Sequence, residues 1–214
     1  CQIQTLAQLP LAIEAGAEVV VVQGGEAGGH GAAVATARST MVFVPEAKDW
    51  LAANAPDVLL LGAGGIADGR GLAALLMLGA DGALVGSRLW ASREGLAAQS
   101  AKEQAVMADG DATARSAIFD ILRRKDWPGE YDFRALRNAI HREWEGREAE
   151  LRADPAAARA EFDEGAAQGD YTRANVTVGE ATGLIRDLPG AGEIVQRMAA
   201  EAQTCLSRAS LLIT

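Results

Sequence analysis

Cysteine is scarce here: the two residues, Cys1 and Cys205, stand at opposite ends of a 214-residue chain. With only two histidines besides, no metal-ligand spacing can be assembled, and a disulfide-stapled fold is excluded. A reduced, intracellular, cytoplasmic protein without a metal is expected. Aromatic residues are 5% of the sequence, so the apolar surface is mostly alanine, leucine and valine, which suits helices packed on a parallel sheet. No apolar run nears the roughly 20 residues of a membrane span, and no signal-peptide pattern opens the chain, so no membrane partner is expected. Basic residues are also in deficit, 20 against 29 acidic ones, and the formal net charge of −9 repels nucleic-acid phosphates. Methionine is missing from position 1. The start Cys1-Gln-Ile-Gln-Thr5 reads as a strand already in progress, and the chain is expected to be the C-terminal portion of a longer one.

What is abundant is glycine after apolar runs. A short strand at Cys1–Gln4 and a helix over Leu6–Ala15, closed by Gly16, lead to Val19–Val22. Four consecutive β-branched residues there predict a strand buried on both faces. Pro45 is expected in the first turn of a helix running to Asn54, followed by a strand at Asp57–Leu61. Asp68 is placed as the N-cap of a helix that Gly79 ends, and Gly82–Val85 as the next strand. Strand and helix alternating at this spacing predict βα units with right-handed crossovers. From Ser92 onward glycine thins out and charge rises. Residues 1–108 are therefore read as one region of βα units and residues 109–214 as a mostly helical tail, with helices at Phe133–Leu151, Pro155–Ala167 and Ala191–Leu206.

Three strand ends carry the candidate chemistry. The first is Gln23-Gly-Gly-Glu26-Ala-Gly28-Gly-His30-Gly31, where glycine lets backbone approach a ligand and His30 can move a proton near neutral pH. The second, Gly62-Ala-Gly-Gly65 continuing to Asp68-Gly-Arg-Gly71, joins a strand to a helix N-terminus, a ready phosphate site. The third is Leu84-Val85-Gly86-Ser87. In α/β folds ligands sit at these ends, and phosphate sites shared by the last two barrel strands are common. Plain tight turns and a solvated loop histidine are the alternatives. Glu26 is left open between orienting His30 or the backbone and simple solvation, and His141, in a charged stretch, is expected at the surface. The glycine spacing does not match a dinucleotide fingerprint.

Taken in order and spacing, these three segments, with Gly179-Glu-Ala-Thr-Gly183 near the end, resemble the nitronate monooxygenase family, formerly 2-nitropropane dioxygenases. The resemblance implies a (β/α)8 barrel with a helical appendage, noncovalently bound FMN, and oxidation of alkyl nitronates by O2 to carbonyl compounds and nitrite. It implies FMN contacts at Gln23, Gly28, Gly65, Leu84, Val85, Gly86 and Ser87, and makes His30 the active-site base toward neutral nitroalkanes. The partners implied are a small nitronate or nitroalkane and O2, with a homodimer left open. The alternatives carried are a flavin-dependent enoyl-thioester (enoyl-ACP) reductase, a non-catalytic truncated barrel, and a phosphosugar-isomerase type of barrel.

Overall fold

The computed structural model describes residues 1–209 and 211. Its elements run, in chain order, β1 (Gln2–Ile3), α1 (Gln8–Glu14), β2 (Val19–Gln23), β3 (Gly29–Ala32), α2 (Thr40–Asn54), β4 (Leu59–Ala63), α3 (Gly69–Met77), β5 (Gly82–Leu84), α4 (Ser87–Trp90) and α5 (Gln99–Met107). There follow β6 (Thr113–Ser116), α6 (Ile118–Leu122), β7 (Tyr131–Leu136), α7 (Ala139–Trp144), α8 (Glu148–Ala153), α9 (Ala156–Gln168) and α10 (Ala191–Ala209).

Strands β1, β2, β4 and β5 form one parallel sheet in that order, with Val20 opposite Leu60 and Gly62 opposite Ala83. The reason is legible in the residues. Val20 and Val22 are fully buried against Leu9 of α1, Phe43, Val44 and Leu51 of α2, Leu60 of β4 and Leu75 of α3. Helices α1, α2 and α3 keep water from the face that carries Val20 and Val22, and Val21 on the opposite face is 8% exposed. Parallel pairing then brings the ends of β2, β4 and β5 to one edge.

The sequence expectations fail where tertiary pairing overrides local pattern. The glycine loop does not remain a loop: β3 within it pairs antiparallel with β7, which pairs with β6, placing His30 opposite Phe133. The expected helix at Phe133–Leu151 is therefore β7 followed by two short helices, and the appendage opens with strands before its helices begin. Phe133 and Ala135 are buried there against Ile118, Phe119 and Ile140, a period of two that the flanking charges obscured. Helix α2 starts at Thr40, five residues before Pro45, so the proline lies inside the helix and not in its first turn. The carbonyl it leaves without a helical donor belongs to solvent-exposed Met41, which makes the position tolerable. The β4 strand begins two residues later than expected, at Leu59.

His141 is also corrected: it is buried, 1% exposed, on the inner face of α7. Asn138 caps that helix by accepting from the His141 N–H at 3.0 Å, which turns the imidazole inward to Ser116 Oγ, 3.1 Å from Nε2. Burial pushes the imidazole below its ordinary pKa. The unfolded chain then binds a proton where the folded one does not. This contribution to stability is whole above the ordinary value of about 6.5 and is lost as pH falls below it toward the lowered folded value. Thermal melting between pH about 7.5 and about 5.5 should show stability falling with acid, and His141→Gln, less stable at the upper pH, should show a shallower fall. Parallel slopes would remove His141 as an acid-sensitive group.

Candidate active site

The ends of β2, β4 and β5 open onto a cavity of about 320 Å³. Gln2, Gln23, Glu26, Gly28 and His30 line one side of it, Gly64, Gly65 and Ile66 the floor after β4, and Leu84, Gly86, Ser87 and Trp90 the side after β5. Thr177, Gly179 and Ala181 from the irregular stretch before α10 complete the wall. Of the expected residues, Gln23, Gly28, His30, Gly65, Leu84, Gly86 and Ser87 are thus brought together, whereas Val85 is not among those lining the cavity.

Each has a definite setting. Gln23 is buried at the end of β2, its Oε1 accepting from Gln2 Nε2 at 2.5 Å and Gln4 Nε2 at 2.9 Å. Its Nε2 donates to the His30 carbonyl at 2.8 Å, so Gln23 braces the histidine's backbone from the sheet. Gly28 is required by packing: a Cβ there would stand 2.5 Å from the Val178 carbonyl carbon. The Glu180 N–H donates to Glu26 O at 2.9 Å beside it, tying the tail segment to the glycine loop. Glu26 resolves to a structural role, since its carboxylate accepts from the Thr40 N–H at 2.9 Å and stabilises the start of α2.

The phosphate expectation divides. The α3 N-terminus is already filled with carboxylate: Asp68 accepts from the N–H groups of Arg70 and Gly71, and Glu201 of α10 accepts from Gly69 at 2.9 Å. Those amides have no donor left for a phosphate, which corrects the reading of that helix end as an anion site. The backbone just upstream and across the cavity differs. Gly65 has φ +76°, a conformation that favours glycine, and at Gly86 nothing among the described residues lies within 4 Å of where a Cβ would stand. Ser87 Oγ accepts from the Gly179 N–H at 2.8 Å, leaving its own hydrogen to donate.

His30 is held on three sides. Its Nε2 lies 2.9 and 3.0 Å from the two carboxylate oxygens of Asp120 in α6. Its ring stacks on Trp127 with centroids 3.7 Å apart and meets Phe133 edge-on at 4.8 Å. Beneath the loop, Arg115 of β6 donates to the carbonyls of Gly25 (3.1 Å), Ala27 (2.8 Å), Gly29 (3.3 Å) and Asp132 (2.8 Å). Burial, then the neighbouring Arg134, lowers the Arg115 pKa to about 10, which leaves it charged at neutral pH. Arg134 donates twice more to Gly25 O and pairs with Glu180 at 2.9 Å. Sequence reasoning missed Asp120, Trp127 and both arginines. They lie far downstream in stretches whose charge and turn residues read as an ordinary solvated surface.

With this geometry in view, the likenesses are informative. The nitronate monooxygenase of Neurospora crassa is 33% identical over 94% of this chain and 53% of its own length. The nitronate monooxygenase npaC of Metarhizium robertsii is 36% identical over 89% of this chain and likewise 53% of its own length. The chain thus spans about half the length of the curated relatives it matches. Among solved structures, FabK from Thermotoga maritima superposes with a TM-score of 0.80 at 27% identity, covering 99% of this chain and 63% of that one. The family model for nitronate monooxygenase matches residues 1–201, so this chain belongs to the nitronate monooxygenase family.

Proposed function

We propose that this chain carries the acid–base histidine and the flavin cradle of an enzyme that oxidises alkyl nitronates with O2 to carbonyl compounds and nitrite. The observation that carries the reading is the convergence of His30 and two open glycine turns on one cavity at the ends of three parallel strands. The sheet order supports the wider reading that β1, β2, β4 and β5 are an arc of a (β/α)8 barrel, since each strand lies beside the next one of its own sheet along the chain.

FMN fits the residues present. The unfilled space at Gly86, the free hydroxyl hydrogen of Ser87 and the φ +76° turn at Gly65 form a cradle for its phosphate. Gln23, Gly28 and Leu84 would border the remainder. When bound, the flavin supplies the electron-accepting chemistry of the oxidation. The protein supplies position and protons. With a neutral nitroalkane, His30 accepts the proton from the carbon bearing the nitro group, and the bonding pair remains on the substrate as the nitronate. With a nitronate, already an anion, His30 orients the substrate and offsets its charge.

The test is nitrite release from a nitronate by the full-length protein in air without a nicotinamide. Turnover that requires a nicotinamide donor would favour the enoyl-thioester reductase reading, and a folded protein without a flavin absorbance would refute both. Gly86→Val should abolish flavin retention while the melting temperature of flavin-free protein stays put, because the side chain fills only the cradle. Gly65 is the poorer site to probe, since its backbone disfavours any side chain. Wild-type flavin content in Gly86→Val would move the phosphate elsewhere.

A further inference from the structure

We infer that Asp120 is the positioning residue of the site: it fixes the tautomer of His30 and holds the positive charge that His30 acquires. The inference rests on the proposed acid–base role of His30, and its geometry stands independently of substrate identity. Asp120 is buried, 5% exposed, in a five-residue helix whose neighbours Ile118, Phe119, Ile121 and Leu122 are all core residues. A carboxylate in such surroundings costs free energy unless its oxygens find donors. Among the described residues, the hydrogen-bonding partner of its side chain is His30 Nε2, within 3.0 Å of both oxygens. On its other side Asp120 borders a cavity of about 260 Å³ lined by the basic side chains Arg124, Lys125, Arg152 and Arg159 together with a second carboxylate, Asp126.

A carboxylate only accepts, so Nε2 of His30 carries the hydrogen. In the neutral ring the lone pair is then on Nδ1, which has no hydrogen-bonding partner among the described residues, while His30 itself lines the substrate cavity. The stack on Trp127 and the edge of Phe133 oppose the rotation about Cβ–Cγ that would put Cε1 in place of Nε2 beside Asp120. The Gln23 amide fixes the histidine's backbone from the opposite side. In the proton-transfer step the substrate C–H bond breaks, its electron pair stays on the nitronate, and the proton passes to Nδ1. The resulting imidazolium faces the Asp120 carboxylate, which takes up no proton itself. A general base that gains charge away from bulk water needs such a counter-charge.

15N-histidine labelling of the full-length protein displays its imidazoles, and the resonances lost in His30→Gln and His141→Gln assign the two of this chain. At mildly alkaline pH the wild-type His30 should show a protonated Nε2 and an unprotonated Nδ1. A protonated Nδ1 would overturn the inference with no variant needed. In Asp120→Asn the ring should shift toward the Nδ1–H tautomer, because the amide can donate to Nε2. Turnover of neutral nitroalkanes by that variant should fall by about 10²-fold or more, with preformed nitronates changed only a few-fold and flavin absorbance unchanged. An unaltered His30 spectrum in Asp120→Asn, or equal losses on both substrate forms, would overturn the positioning role. Should the wild type oxidise neither substrate form, the proposed reaction fails, while the wild-type spectrum still decides whether Asp120 sets the tautomer.

Discussion

Arg115→Met is expected to lower the melting temperature by about 10 °C. The guanidinium donates to four backbone carbonyls, three of them in the glycine loop between Gln23 and His30, and of the four Gly25 O keeps a donor in Arg134 when it is removed. Methionine fills the space of the stem but donates nothing. Each buried acceptor left unpaired costs about 1–3 kcal/mol. Partial rehydration through the cavity reduces the sum, so a loss of about 3 kcal/mol is a conservative figure. For a chain of this size each kcal/mol shifts melting by about 2–4 °C. Arg115→Lys, with the charge but not the fork of donors, should recover only part of the loss. If Arg115→Met melted like the wild type, the loop would have to be held by Arg134 and the tail alone.

The second large effect lies in the chemistry. His30→Asn in the full-length protein should reduce turnover of neutral nitroalkanes by about 10²-fold or more, because the proton on carbon then has no base. Preformed nitronates, which need no deprotonation, should lose much less. Flavin content should hold, since the proposed cradle at Gly65, Gly86 and Ser87 lies after β4 and β5, apart from His30 on β3. Comparing the two substrate forms separates the roles: equal losses would make His30 an orienting group, and no loss would return it to a bystander of the loop.

How far the sequence discloses this depends on the range of the interactions. Val19–Val22 announces a buried parallel strand because both faces of it are covered, and Asp68 announces a helix start because the cap is satisfied within three residues. The glycine turns are legible for the same local reason, and they locate the cavity. Local pattern misleads at Phe133, where the neighbouring Arg134 is a donor to the distant Gly25 carbonyl and not a solvated charge, and at His141, where charged neighbours conceal an inward face. It is silent on Asp120, whose meaning arises only when α6 is carried to a loop ninety positions earlier in the chain. The α3 N-terminus shows a subtler failure: the motif is as expected, but Glu201, arriving from α10, takes the Gly69 amide, and the Asp68 cap takes those of Arg70 and Gly71.

Strand β3 leaves the parallel sheet and joins β7 and β6. The proposed base is therefore carried by one hydrogen-bonded unit and the proposed cradle by another. Units of this kind open with their own free energies, and here the unit that carries His30 has three strands against four in the parallel sheet. Amide exchange should accordingly run faster in β3, β6 and β7 than in β2 and β4. In each such opening the imidazole parts from its carboxylate while the cradle persists, so proton transfer is the first capability lost under mild denaturant and flavin binding the last.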